Sequence, residues 1–148
     1  GAGGPARAGP SLQLATAKLP GGTDAAAFSQ AMYQWASTLQ YSGQNLPFVL
    51  PLKVEQGEAG FSIELLRVLD GEARAVAELE ASVERVAEGQ DVLIVRLFEG
   101  AGLDGWESAG QGEERLRTLL QGLPDINTIM GSMPPAIKSA AETSRAST

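Results

Sequence analysis

Few side chains in this sequence can do chemistry. Its 148 residues include no Cys and no His, which removes thiolate nucleophiles, imidazole bases and the thiolate or imidazole ligands of transition metals. The residue that stands out is Arg96, alone within the apolar run Val92–Phe98. A guanidinium in such a run must either pair with a carboxylate on a neighbouring strand or reach an opening. Lys18, Lys53 and Tyr33, two residues before Trp35, are the other polar candidates, for a small-ligand site or for an enzyme using Asp, Glu, Lys, Tyr or Ser. Glu78, Glu80 and Glu84 recur within one segment. Carboxylates spaced along an element spread apart, however, whereas a hard cation wants oxygens that converge. The sequence therefore predicts no metal and no covalent cofactor.

The second cluster of interest is apolar. Five glycines fall between Gly100 and Gly112, with Leu103 and Trp106 as the only large apolar groups among them. Long Gly-rich segments are either functional or mobile. A phosphate cradle is a poor fit, because the Lys-Ser/Thr ending of a P-loop is missing and Asp104 and Glu107 sit where an anion would. Trp106 reads either as a cap over the core or as an anchor for a partner. Ile126, Ile129, Met130 and Met133 follow at helical spacing, and Met serves both as core filler and as an adaptable contact residue. Trp106, Leu103, Ile126, Met130 and Met133 are accordingly the candidate partner-binding residues, with Arg96 as a candidate polar site.

The elements that must position these residues can be read from periodicity. Val92–Phe98 is apolar on both strand faces and predicts a central strand. Leu12, Leu14 and Thr16 alternate with Gln13, Ala15 and Ala17, predicting a first strand stopped by Pro20-Gly21-Gly22. Thr23-Asp24 offers an N-cap hydroxyl and a first-turn carboxylate to a long helix with Phe28, Met32, Trp35 and Leu39 on one face. The opposite face, Gln30, Gln34, Ser37 and Thr38, is neutral. Leu46–Val54 predicts a strand with Phe48, Leu50, Leu52 and Val54 inward, and Pro51 places it at a sheet edge. Phe61–Leu69 predicts the next strand, and Asp70-Gly71 a two-residue hairpin. Residues 76–86 fit both a strand and a helix, the hairpin favouring the strand. Glu113 and Glu114 open a helix with Leu116, Leu119, Leu120 and Leu123 buried, followed by a short turn from Asp125 and, after Pro134-Pro135, a small helix at Ala136–Lys138.

Composition sets the frame. Hydrophobic residues make up 43%, charged 20% and aromatic only 5%, so the core is aliphatic. A net charge of -7 opposes phosphate backbones and anionic lipid surfaces, and no apolar run approaches the roughly 20 residues of a membrane helix. Neither nucleic acid nor integral membrane insertion is expected. Residues 1–11 are Gly, Ala and Pro with a single charge and predict a flexible tail, residues 12–140 a single domain, and residues 141–148 a second flexible tail. The missing initiator Met suits either a processed terminus or the remnant of an added sequence.

Taken together, L-A-T-A-K-L-P (14–20), Y-Q-W-A-S-T-L (33–39), G-Q-N-L-P-F-V-L-P-L-K-V (43–54), V-R-L-F-E-G (95–100) and S-M-P-P-A-I-K (132–138) resemble an uncharacterised family of plant and green-algal chloroplast proteins, a domain of unknown function. The resemblance spans about residues 12–140. It implies a photosynthetic lineage and the plastid stroma, and it carries no catalytic residue over.

The expected architecture is α+β and two-layered. It has a mainly antiparallel sheet of four to five strands, one long N-terminal helix and C-terminal helices. The expected function is non-enzymatic: a chloroplast stromal protein acting through a protein partner, as an accessory or assembly factor of a thylakoid photosynthetic complex. The alternative is a small-ligand-binding domain or a His/Cys-independent enzyme of the stroma. The sequence leaves oligomeric state open.

Overall fold

The computed structural model describes residues 9–41, 48–103 and 110–145. Five strands, β1 (Ser11–Lys18), β2 (Leu52–Gln56), β3 (Gly60–Leu69), β4 (Glu72–Arg85) and β5 (Asp91–Glu99), form one antiparallel sheet in the order β1-β5-β4-β3-β2. Three helices are described, α1 (Ala25–Thr38), α2 (Gly112–Gly122) and α3 (Pro124–Thr143). The architecture is thus α+β, with β5 inside the sheet as its two-sided apolarity predicts. Segment 76–86 falls almost wholly within β4. The turn before it is the Asp70-Gly71 hairpin, both residues at positive φ (54° and 78°), the backbone a two-residue hairpin of the primed type requires.

One face of the sheet carries the core. Ile63, Leu65, Leu79, Ala81, Leu93, Val95 and Leu97 pack with Phe28, Met32 and Ala36 of α1, with Leu116 and Leu119 of α2 and with Ile126, Ile129 and Met133 of α3. α1 contacts β2, β3, β4 and α3, and α2 contacts β1 and β5. Trp35 is half-buried and meets Phe61 edge-on at 6.4 Å.

Four expectations need correction. The first concerns helix lengths: α1 has 14 residues, and the longest helix among the described residues is α3 with 20. α3 runs straight through Pro134 and Pro135, where a break and a separate short helix were expected. An interior proline costs roughly 3 kcal/mol of helix propensity. Here the stripe Ile126, Ile129, Met133 and Ala140 is buried in the core beside α1 and α2, while Gly131, Pro134 and Pro135 face solvent, where water can satisfy the carbonyls the prolines leave unpaired.

Second, the cap of α1 is the Asp24 carboxylate, which accepts from the Ala27 N–H at 3.1 Å; the Thr23 hydroxyl turns back to donate to the Pro20 carbonyl at 2.6 Å. Third, β2 begins only at Leu52, because the stretch before it is held in another way described below. Its face assignment stands: Phe48, Leu50, Leu52 and Val54 pack on the core, and Val49, Pro51, Lys53 and Glu55 are exposed. Residues 42–47 lie outside the described residues.

Fourth, β1 contains a bulge between Gln13 and Ala15. The extra residue flips the later part of the strand. Leu12, Leu14, Ala15 and Ala17 therefore pack on the core, while Gln13, Thr16 and Lys18 are exposed. Simple alternation had put Thr16 with the leucines.

Candidate functional site

No helix among the described elements packs on the other face of the sheet, and the register aligns its side chains in rows. Glu55, Ser62, Glu80, Arg96 and Gln13 form one row across all five strands. Lys53, Glu64, Glu78, Phe98 and Ser11 form the next, and Ser82, Ile94 and Thr16, then Glu84, Val92 and Lys18, continue the pattern. The face therefore presents five glutamates against Lys18, Lys53 and Arg96. Val92, Ile94 and Phe98 are only 8%, 8% and 5% exposed, yet they do not belong to the core cluster. They are buried on this face, so the surface it offers is mainly charged and polar.

Arg96 has its partner. Its Nη1 donates to Glu84 Oε2 at 2.6 Å, from β5 to the central strand β4, so the guanidinium is satisfied inside the sheet surface. The Arg96 hydrogen bond holds the Glu84 carboxyl below its ordinary range, with partial burial opposing and the Ser82 hydroxyl, 3.0 Å away, assisting. Ser82 beside a carboxylate could suggest a nucleophile and its base. A carboxylate already neutralised by arginine is a weak base, and the pair does not fit acyl transfer.

The sign of this coupling gives a prediction. A carboxyl whose folded-state pKa is depressed adds stability above its unfolded pKa, and the contribution is lost as pH falls through the folded value. Both side chains are partly open to solvent (29% and 40%), so screening limits the pair to about 1 kcal/mol or less. Glu84→Gln is expected to lower denaturant stability by that amount at neutral pH and to match the parent once the carboxylates are protonated. Equal losses at both pH values would show that packing, not charge, was removed.

The remaining candidates separate. Ile126 and Met133 are 0% and 2% exposed and belong to the core, so their burial takes them off the surface in this conformation; Met130 is half-buried on the same helix. Leu103 ends a short 3-10 turn at Ala101–Leu103, and Trp106 lies outside the described residues. Lys53 pairs with Glu55 at 3.1 Å, and Tyr33 is half-buried against the core. Among the described residues no group of three or more Asp or Glu could hold a metal ion.

The Gly-rich segment also has a structural purpose that composition concealed. At Gly100 a Cβ would overlap the Ala75 carbonyl and lie 2.9 Å from the Val76 carbonyl carbon, and at Gly102 it would lie 2.6 Å from Arg74 Cβ. These glycines let the chain leaving β5 lie directly on the β4 backbone, where Gly100 N–H donates to Val76 O at 3.0 Å.

A further residue acts over a distance that local spacing does not show. Asp125, only 1% exposed, reaches out of the first turn of α3 and accepts from Val49 N–H at 2.8 Å and Leu50 N–H at 2.7 Å. It is a buried clamp across the fold, where the sequence suggested a local cap. The available signal was backbone accounting: between Pro47 and Pro51 the amides of 48–50 need acceptors that a proline-interrupted strand does not offer.

The fold thus defines an α+β domain with helices on one side of an antiparallel sheet and an acidic, patterned surface on the other. The chain belongs to the family described as a domain of unknown function, DUF7148, which matches residues 8–124. The match takes in the whole sheet, α1 and α2 and ends at the first residue of α3. No curated protein and no solved structure matches the chain. No helix among the described residues is long and apolar enough to cross a membrane.

Proposed function

We propose that this chain is a non-enzymatic protein that works by protein–protein interaction, as an accessory or assembly factor of a photosynthetic complex in the chloroplast stroma, peripheral to the thylakoid through its partner. The observation that carries the docking function is the helix-free sheet face, where Glu55, Glu64, Glu78, Glu80 and Glu84 cluster on the adjacent strands β2, β3 and β4. Such a surface complements a basic partner segment. The plastid setting rests on the sequence resemblance given above.

The double variant Glu55→Gln/Glu80→Gln tests the docking face, since neither side chain is buried. Used as bait against stroma and solubilised thylakoids, the parent is expected to retain a defined protein whose recovery falls as salt is raised. The variant should recover about threefold less, with a weaker salt dependence. Unchanged recovery places the docking surface elsewhere. A parent bait that retains no defined protein removes the interaction function itself.

A further inference from the structure

The β1 bulge has a second effect, on the helix-covered side. It turns Ala15 and Ala17 inward, opposite Val95 and Leu93. Larger side chains fill the equivalent space further along β1, at Leu12 and Leu14, but over these two alanines the layer between sheet and α3 stays open. The result is a groove of about 340 Å³. Its floor is Ala15, Ala17, Leu93 and Val95, and its wall is Met133, Pro134 and Ile137. Pro134 adds a wall residue with no N–H to satisfy. The groove is open to solvent, with Thr16, Pro134 and Lys138 exposed at its rim, so an occupant can reach its aliphatic floor.

The chemistry of the lining selects that occupant. The lining is aliphatic apart from Thr16 at the rim, and its one charge is Lys138, one turn beyond Pro134. Lys138 is exposed and has no carboxylate partner among the described residues, although the chain as a whole is strongly acidic. At the low end of the roughly 300–1,000 Å³ range of small-molecule sites, the groove suits a slender ligand better than a protein surface. We propose that it binds a free medium-chain carboxylic acid, the alkyl chain lying over Ala15 and Ala17 and the carboxylate meeting the Lys138 ammonium. This site is independent of the docking face, which is on the other side of the sheet. Its wall comes from α3 beyond Pro124, outside the stretch matched by the family.

Decanoate is the probe, titrated below its micellar range by calorimetry, with the Met133 methyl resonance as a local reporter. Binding with a shift of that resonance is expected. Ala17→Leu, which fills the floor, should weaken binding about tenfold or more. Lys138→Gln should weaken it roughly two- to fivefold, the range of an exposed ion pair, and bring decanoate to the affinity of decanol. If Ala17→Leu impairs folding, the exposed Lys138→Gln and the comparison with decanol decide alone. The Glu55→Gln/Glu80→Gln variant should bind decanoate as the parent does. No Met133 shift on saturation, equal affinity for acid and alcohol in the parent, or binding to phospholipid vesicles without binding of free decanoate would each overturn the proposal.

Discussion

Asp125→Ala is expected to be the most damaging single change in this protein, costing about 3–5 kcal/mol. The carboxylate makes two short hydrogen bonds to the Val49 and Leu50 amides, at 2.8 and 2.7 Å, in a nearly solvent-free setting. Bonds to a charged group contribute about 1.5–3 kcal/mol each, and removing the acceptor strands both donors. Its place in the first turn of α3 adds a favourable helix-dipole interaction that alanine forfeits. For a domain of this size the loss amounts to a melting temperature lower by on the order of 10–15 °C. Asp125→Asn should be nearly as harmful, because one acceptor oxygen becomes an amino group that cannot face an N–H. Denaturant unfolding at neutral pH measures both, and a loss below about 1 kcal/mol for alanine would mean that water replaces the carboxylate.

Gly100→Ala is the second. The added methyl would be driven into the Ala75 and Val76 backbone, which cannot rotate away as a side chain can. Overpacking of this kind costs about 3 kcal/mol, and relief requires lifting Ala101–Leu103 off β4. Amide exchange distinguishes the two responses. If the chain lifts locally, the Gly100 N–H loses protection while the centre of β5 keeps it. If the sheet yields, all of β5 exchanges faster. Thermal unfolding identical to the parent, with full protection at Gly100, would contradict the close approach. Gly112, at φ 61° with open space around its missing Cβ, should show only the cost of a left-handed backbone, about 1 kcal/mol.

What the sequence revealed and what it hid divide along the range of the forces involved. The Asp70-Gly71 hairpin, the inward face of 48–54 and the interior place of Val92–Phe98 follow from local periodicity and turn chemistry, and each could be read directly. Arg96 was legible as a choice between two fates, and geometry selected the Glu84 pair. The bulge in β1 was not legible, since inserting one residue leaves the composition of the strand unchanged while reversing its faces. Nor was the continuity of α3 across Pro134-Pro135, where burial of a long apolar stripe outweighs a local preference. Asp125 was hidden for the same reason: its partners are distant in sequence and close only in space. Gly100 and Gly102 looked like slack in a loop because the strand they touch is absent from any local window.

The strand order carries a consequence for how the molecule assembles. β3 and β4 are joined by a two-residue turn and can pair as soon as they exist, whereas β1, first in the chain, pairs only with β5, matching Ser11 with Phe98. Closing so long a span of chain carries a high loop entropy, and rates fall as such distant contacts come to dominate a fold. Folding is therefore expected to proceed outward from the β3–β4 hairpin and to be limited by the late arrival of β1. Until then β5 presents an unpaired, two-sided apolar edge. A chain emerging from a ribosome or a translocation pore with its N-terminus leading would hold β1 in waiting until β5 had cleared the exit, and that interval is when the nascent protein is most open to a chaperone.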